Sequence, residues 1–316
     1  MILVTGGAGF IGAHTVRALC DAGEECLLAQ RRSPVVPESL TDLPVHVAQV
    51  DVTDADALLA LGHEHRVTGI VDLALALPWP STDVPPADGA RMALDGFLNV
   101  VRAAQEWGVR RVVTASTIGV YGDRLGQGGG LSEDLPLSLG LSHPIPTFKK
   151  TAELLGGFLS AASEVDVVTA RINGNWGPGG HQPDPFFAPP SLALAAARRT
   201  APDFSRMEAQ PHAEDSLDFS YVKDTGRALA LLQLADELHH TTYNVASGFA
   251  TSNAEVVEVL RRLEPAFEAH LPEADVPPRT WLDIERLRTD TGFGPEWGLE
   301  RAAADYVAWL RDGHER

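Results

Sequence analysis

TGGAGFIG, at residues 5–12, stands between an apolar run at residues 2–4 and a helical pattern over residues 13–22. This order of strand, glycine turn and helix is the one that a site for dinucleotide phosphates requires. Gly6 permits a sharp turn, Gly9 removes a side chain that would block the pyrophosphate, and Gly12 lets the helix pack closely against the strand. The helix N terminus then offers free N–H groups and a partial positive charge to the phosphates. The stretch therefore predicts a dinucleotide-binding turn formed by Gly6, Gly9, Phe10, Ile11 and Gly12.

Strand-like apolar runs and helical patterns alternate along the first half of the chain. Such alternation predicts an α/β fold with a doubly wound parallel sheet of the Rossmann type. Ligands of these sheets bind beyond the carboxyl ends of the strands. The strand-like runs lie at residues 2–5, 26–29, 45–50, 69–75, 111–115 and 165–171, and the helical patterns at residues 13–22, 54–61, 90–107 and 147–162.

The pattern changes near residue 173, where proline, glycine and aromatic residues become frequent. We predict a dinucleotide-binding domain over residues 1–172, joined by segments near 217–247 that return to the main sheet. A smaller C-terminal substrate-binding lobe is predicted over residues 173–216 and 248–316. The glycine-rich residues 126–130 are expected to form a surface loop, with a lid as the alternative.

Composition narrows the classes of partner. The 316 residues carry a formal net charge of −18, which disfavours binding to nucleic acid or to anionic membranes. No apolar run is long enough to span a bilayer and no signal peptide precedes the first strand, so we expect a cytoplasmic protein with no membrane contact. The two cysteines, Cys20 and Cys26, fit a reducing compartment. No cluster of Cys and His has metal-ligand spacing, and we expect no metal.

Further motifs follow the glycine turn in a fixed order: DV at residues 51–52, DLA at 72–74, GFLNV at 96–100, STIGVYG at 116–122, WGP at 176–178, FSYVKD at 219–224, YNV at 243–245 and TGFGP at 291–295. Together they resemble the extended short-chain dehydrogenase/reductase family, in particular its NAD(P)-dependent sugar epimerases and dehydratases. The resemblance runs from residue 2 to residue 309. It implies hydride transfer between a nicotinamide cofactor and a hydroxyl or carbonyl carbon. It also implies cofactor contacts from Asp51, Val52, Leu73 and Ala74.

The end of the second strand-like run bears on the choice of cofactor. NAD-preferring members of the family place an acidic residue there, which binds both ribose hydroxyls. The corresponding residue is Gln30, followed by Arg31 and Arg32. A neutral amide with two guanidinium groups attracts a 2′-phosphate that a carboxylate would repel. We therefore expect NADP rather than NAD.

The resemblance also implies a catalytic set, and one member of that set is missing. Family members carry Ser or Thr at the end of the fifth strand and Tyr four residues before a Lys. Thr117, with Ser116 beside it, has the first role, and Lys149 has the last, where it also binds the cofactor ribose. Asn99 is expected to support the site. The tyrosine position is Ile145, and isoleucine cannot exchange a proton.

Three explanations of Ile145 are open. In the first explanation, another group moves the proton. His143 is the first candidate, because its ordinary pKa of about 6.5 suits acid/base chemistry. The other candidates are Lys149, Thr117 and Tyr121. Alternatively, the reaction needs little or different proton transfer, as in an isomerisation or an elimination. In the third explanation, the chain has lost catalysis and is a cofactor-binding sensor or partner protein.

Two positions bear on the substrate. Sugar-nucleotide members bind the pyrophosphate with an Asn and an Arg, at positions that are Gly174 and Leu217 in this chain. Loss of the guanidinium removes a major anchor for phosphate, so we expect a small, non-nucleotide substrate. Aromatic and proline residues at 78–80, 176 and 185–187 suggest an apolar pocket. A homodimer through the helical patterns at 90–107 and 147–162 would match the family.

Overall fold

A seven-stranded parallel sheet with helices on both faces forms the centre of the protein. The computed structural model describes residues 1–75, 83–140, 143–275 and 277–314. Its strands are β1 (Ile2–Thr5), β2 (Cys26–Gln30), β3 (Val45–Gln49), β4 (Gly69–Asp72), β5 (Arg111–Thr117), β6 (Gly129–Leu131), β7 (Asp166–Ile172), β8 (Gly174–Trp176), β9 (Ser216–Tyr221), β10 (Thr242–Val245), β11 (Ala250–Ser252) and β12 (Thr280–Leu282). Its α-helices are α1 (Phe10–Asp21), α2 (Ala55–Glu64), α3 (Pro86–Trp107), α4 (Pro144–Ala162), α5 (Pro189–Arg198), α6 (Val222–Leu234), α7 (Asn253–Leu263), α8 (Glu285–Thr291) and α9 (Leu299–Arg311).

The strand order of the main sheet is β10-β7-β5-β4-β1-β2-β3. Successive strands run outward from β1 in one direction as far as β3, and then in the other direction from β4 onward. A crevice opens where the order reverses, beyond the carboxyl ends of β1 and β4, and it is here that doubly wound sheets bind ligands. The predicted doubly wound parallel sheet is confirmed.

Two apolar layers hold the helices onto this sheet. On one face, residues such as Val4, Leu28 and Val113 pack with Val16 and Leu19 of α1 and with residues of α6. On the other face, the alternate residues of the same strands pack against α2, α3 and α4. The central strands β1, β2 and β4 are buried on both faces, which explains why their sequences are largely apolar, whereas the edge strand β3 is only partly buried.

The C-terminal half adds a second, smaller unit beside the main sheet. Its three-stranded sheet has the order β11-β9-β8, and a separate apolar cluster joins α5, α7 and α9. We predicted that the segments near 217–247 return to the main sheet. Strand β10 does so by pairing with β7, whereas β9 pairs with β8 and β11. The expectation was therefore wrong for β9.

The glycine-rich residues 126–130 are more ordered than expected. Gly129 and Gly130 belong to β6, which pairs in parallel with β12. The hydroxyl of Thr280 also accepts the N–H groups of Gly126, at 3.1 Å, and of Gly128, at 3.0 Å. Gly128 is thus bonded to a residue 152 positions further along the chain, and residues 129 and 130 form a strand where a surface loop was expected.

Two simpler features complete the fold. Cys20 and Cys26 are free thiols, with their sulfur atoms 3.8 Å apart. Within the described ranges, the helices include none that is both long and apolar enough to cross a bilayer.

Candidate active site

The glycine turn between β1 and α1 has the geometry that phosphate binding requires. Gly6 has φ +66°, and a β-carbon at Gly12 would lie 2.1 Å from the carbonyl oxygen of Gly6. Only glycine fits at that distance, so the first turn of α1 lies directly against the loop. Helix α1 begins at Phe10 with no acidic residue in its first turn, which leaves the helix N terminus electropositive.

A cavity of about 420 Å³ extends from this turn along the ends of β2, β3 and β4. We call it the cofactor cavity. It brings together most of the residues predicted to bind the dinucleotide: Gly6, Gly9, Gln30, Arg31, Arg32, Asp51, Val52, Leu73 and Ala74. Of the other predicted residues, Phe10, Ile11 and Gly12 form the start of α1 beside it.

Short-range contacts fix the walls of the cofactor cavity. One oxygen of Asp51 accepts the backbone N–H of Thr53 at 3.0 Å and its hydroxyl at 2.8 Å. The other oxygen lies 4.0 Å from a guanidinium nitrogen of Arg31. The Asn99 amide donates to the carbonyl oxygen of Val52 at 3.0 Å.

Asp72 is a buried carboxylate at the point where the sheet order reverses. The Thr5 hydroxyl donates to it at 2.5 Å and accepts the N–H groups of Leu73 and Ala74, so Asp72 also shapes the cavity wall. Burial raises the pKa of the Asp72 carboxyl, while the Thr5 hydroxyl and the Lys149 ammonium oppose that rise. Asp72 was expected only as part of the DLA motif at residues 72–74, although an acidic residue that ends an apolar strand already indicates such a role.

Lys149 lies on α4, one turn after Ile145. Burial lowers the pKa of its ammonium from the ordinary value of 10.5, and the carboxylates of Asp72 and Glu153 act in the opposite direction. The Lys149 side chain is therefore the cationic partner of Asp72 at this end of the sheet.

Ser116, predicted as a catalytic residue beside Thr117, is bonded elsewhere. Its hydroxyl donates to Glu153, whose carboxylate also holds Arg171 at 2.8 Å. Arg171 in turn donates to the Tyr121 hydroxyl at 3.1 Å. All of these side chains are buried or nearly so. They form a hydrogen-bonded network that joins β5, β7 and α4. We accordingly exclude Ser116 and Tyr121 from the catalytic residues that we propose.

Thr117 and His143 border the first turn of α4. The Thr117 hydroxyl accepts the N–H of Gly119 at 3.2 Å, and a β-carbon at Gly119 would lie 3.3 Å from Pro146, so the end of β5 touches this turn. His143 precedes the helix, and its Nδ1 accepts the N–H of Ile145 at 3.3 Å. A helix-capping role therefore accounts for one ring nitrogen of His143.

Each of the four tyrosines of the chain has its hydroxyl bonded away from Ile145. Burial is the largest factor raising the pKa of every one of these phenols, to about 12 for Tyr306. The hydroxyl partners are Asn244 for Tyr121, Asp305 for Tyr221, Asp290 for Tyr243 and Gln182 for Tyr306. These phenols are therefore poorly suited to take the place of a catalytic tyrosine.

At the substrate end, the two positions expected to bind phosphate meet in an apolar cluster. A β-carbon at Gly174 would lie 2.9 Å from Leu217 and 3.2 Å from Phe219. The rings of Phe187 and Phe219 have centroids 5.4 Å apart. We call Leu217, Phe219 and Phe187 the apolar wall.

The other aromatic residues that were expected to line an apolar pocket lie in different environments. Trp176 is 4% exposed and packs edge-on against Tyr221 and Tyr306, so it belongs to the core of the C-terminal unit. Phe186, next to the apolar wall, is 55% exposed. The prediction for Pro78, Trp79 and Pro80 falls outside the described residues.

Fold and site together define a doubly wound α/β protein with a dinucleotide-phosphate turn and a lysine-bearing helix beside it. The model of the NAD dependent epimerase/dehydratase family matches residues 2–246, and the chain belongs to that family.

Similar proteins extend over the whole chain. A UDP-glucose 4-epimerase of Azospirillum brasilense is 28% identical over 332 residues, covering 98% of this chain and 92% of the relative. MoeE5, solved in complex with UDP-glucuronic acid and NAD, is 26% identical with a TM-score of 0.76 and 99% coverage of both chains. A UDP-glucose 4-epimerase of Thermotoga maritima, solved with UDP-glucose, shares the fold with a TM-score of 0.80 at 21% identity, and the match covers 99% of both chains.

Proposed function

We propose that this protein uses NADP to transform a hydroxyl or carbonyl carbon of a small substrate that is not a nucleotide sugar. The apolar wall is the observation that supports a substrate other than a nucleotide sugar. Leu217 and Phe219 close over Gly174, where the sugar-nucleotide enzymes that this chain resembles bind pyrophosphate. Two phosphate groups there would lose their water without gaining a cation, which costs several kcal/mol.

The residues of the cofactor cavity fit a dinucleotide. The N–H groups at the start of α1 would bind the pyrophosphate, because no β-carbon at Gly9 or Gly12 intervenes. Lys149 would bind the nicotinamide ribose, and Asp51 the adenine. The bound nicotinamide supplies hydride transfer chemistry. Gln30, Arg31 and Arg32 favour NADP, because their side chains can receive a 2′-phosphate and the cavity places them together.

Replacing both Arg31 and Arg32 by alanine should weaken NADPH binding about tenfold or more and leave NADH binding nearly unchanged. The reason is that a charge-assisted hydrogen bond contributes about 1.5 to 3 kcal/mol and only NADPH carries the extra phosphate. Fluorescence titration with each cofactor measures this. The exposed Arg102→Ala serves as the control for loss of a surface charge. Tighter binding of NADH than of NADPH by the unmodified protein would refute the preference.

For the proton, we propose Lys149 acting with Thr117 in place of a phenol. Thr117 lies at the end of β5 beside α4, where its hydroxyl can orient the reacting oxygen. The Lys149 ammonium is a proton donor whose pKa is lowered by burial toward neutral pH, where a donor is most effective. The negative charge of Asp72 acts in the opposite direction and raises the pKa of Lys149. His143, at the start of α4, remains a further candidate for the proton transfer.

The pH dependence of ketone reduction by NADPH tests this assignment. The rate should fall as pH rises through the pKa of Lys149, because only the ammonium form can donate a proton. Asp72→Asn removes a negative charge that favours the ammonium, so the falling limb should move to lower pH. Asn keeps an oxygen that can accept from Thr5. The exposed Asp56→Asn is the control, and a limb that Asp72→Asn does not move would exclude the Lys149 role.

A cofactor-binding protein without turnover is the second candidate, and Ile145 is the residue that favours it. The two candidates differ in a simple assay. The proposed enzyme oxidises NADPH when offered a panel of small ketones, and Lys149→Met lowers that rate. A silent protein binds NADPH with the same fluorescence change but shows no oxidation with any ketone.

We also propose a homodimer through α3 and α4. Leu154 and Phe158 lie one turn apart on α4 and are 69% and 65% exposed, and Leu98 on the neighbouring α3 is 38% exposed. Such a group of apolar side chains on two adjacent helices is typical of a helix-to-helix interface. Sedimentation equilibrium of the purified protein measures the oligomeric state, and a monomer at micromolar concentration would rule this out.

A further inference from the structure

The side chains of the apolar wall pack against one another and fill the space beside Gly174. Gly174 pairs with Phe219 across β8 and β9, and the missing side chain at Gly174 leaves the space that Leu217 and Phe219 fill. A β-carbon there would also lie 3.6 Å from Phe187. A polar side chain at residue 174 would therefore enter an environment that offers it only carbon atoms.

Exposed aromatic rings extend the wall toward solvent. Phe186 is 55% exposed, and Phe249, which lines a narrow cleft together with Phe219, is 47% exposed. Exposed aromatic side chains grouped in this way are typical of ligand-binding surfaces.

Charged groups of both signs lie close to the wall. The Asp184 carboxylate accepts the N–H groups of Phe186 at 2.8 Å and Phe187 at 3.1 Å, so it lies beneath the turn that carries these rings. The Arg206 guanidinium acts on this carboxylate and holds down its pKa, which burial raises. Arg171 and Arg279 are paired elsewhere, with Glu153 and Glu255.

The wall is also close to the reacting end of the site. Thr117 pairs with Ile172 across β5 and β7. Gly174 follows two residues later, which is about 7 Å of extended chain. Asn173 lies between them, and its buried side-chain amide oxygen has no hydrogen-bond partner among the described residues.

We propose that the apolar wall binds an aromatic or branched alkyl group of an uncharged substrate whose hydroxyl or carbonyl carbon reacts beside Thr117. This inference rests on the proposed function and names the substrate class of the same site. The wall replaces phosphate recognition with burial of apolar area, and an aromatic ring is the group that best fills a surface of Phe and Leu side chains.

Calorimetric titration of the NADP-loaded protein with two probes tests this. Benzylacetone carries a phenyl ring two methylene groups from its carbonyl, and UDP carries the pyrophosphate. We expect the unmodified protein to bind benzylacetone and to bind UDP at least about tenfold more weakly. Leu217→Arg should weaken benzylacetone and strengthen UDP, each by about tenfold, because one charge-assisted contact is gained and one apolar contact is lost. Leu263→Arg, which adds the same charge at an exposed leucine of α7, should change neither affinity.

Phe187→Ala provides a second variant, should Leu217→Arg fail to fold. It removes a ring without adding charge, and benzylacetone should then bind about tenfold more weakly while UDP is unaffected. Tighter binding of UDP than of benzylacetone by the unmodified protein overturns the inference, and so does an absence of benzylacetone binding. Failure of the proposed function is seen separately, because it would appear as an absence of NADP binding before either probe is added.

Discussion

Replacement of Ile145 by tyrosine is expected to raise the rate of NADPH-dependent ketone reduction by about a hundredfold or more. The new phenol would stand one turn before Lys149 in α4, which is the spacing that the family uses for proton transfer. A positioned acid or base contributes about a hundred- to ten-thousandfold, and the Lys149 ammonium would lower the pKa of the phenol. Initial rates with benzylacetone and NADPH measure the gain.

Ile145→Phe is the matched control, because it places the same ring at that position without the hydroxyl. Since Ile145 is only half-buried, both rings can be accommodated with small adjustments of the first turn of α4. An equal rate in the two variants would show that the phenol has no partner there. The site would then be remodelled for other chemistry, or Lys149 would already supply the proton as fast as the later steps require.

Glu153→Gln is expected to lower the free energy of unfolding by about 3 to 5 kcal/mol. The Glu153 carboxylate is 9% exposed, pairs with Arg171 at 2.8 Å and accepts from the Ser116 hydroxyl. Neutralising it leaves the Arg171 guanidinium, 6% exposed, as an uncompensated buried charge, and breaking such a pair is strongly destabilising. Urea unfolding followed by circular dichroism measures the change.

The exposed Glu258→Gln supplies the comparison. It also removes one partner of an arginine, Arg262, but the carboxylate is 72% exposed, so the loss should stay below about 1 kcal/mol. Similar losses in the two variants would mean that water reaches the hydrogen-bonded network of Glu153, Arg171 and Ser116. In that event Ser116 would be available to the substrate after all.

The sequence was sufficient to predict the main sheet because its central strands, such as β1, β2 and β4, are almost fully buried and largely apolar, whereas the edge strand β3 is only partly buried. Residues 26–29, for instance, were expected as a strand and form most of β2. Helix α4 begins at Pro144, three residues earlier than expected, because His143 caps it and Pro144 suits the first helical position. Local side-chain chemistry of this kind is easily missed when only apolar spacing is read.

The short strands could not be predicted in the same way. Strand β6 is three residues long and contains two glycines, and it exists because β12 lies beside it. Similarly, the sequence gives no indication that Ser116 donates to Glu153, since the two residues are 37 positions apart and meet only when α4 packs on β5. The cofactor residues were easier, because the turn that positions them is local.

The buried carboxylate of Asp218 has a consequence for any shortened form of this protein. It is fully buried and accepts N–H groups from Ser247, Gly248 and Leu282, all of which follow residue 246, where the match to the family model ends. A fragment that stops there would retain the dinucleotide turn but strand a negative charge in the interior and uncover the edge of β6. Gene fusions and expression fragments should therefore keep the C-terminal helices, because proteases would degrade a chain that ends at the apparent family boundary.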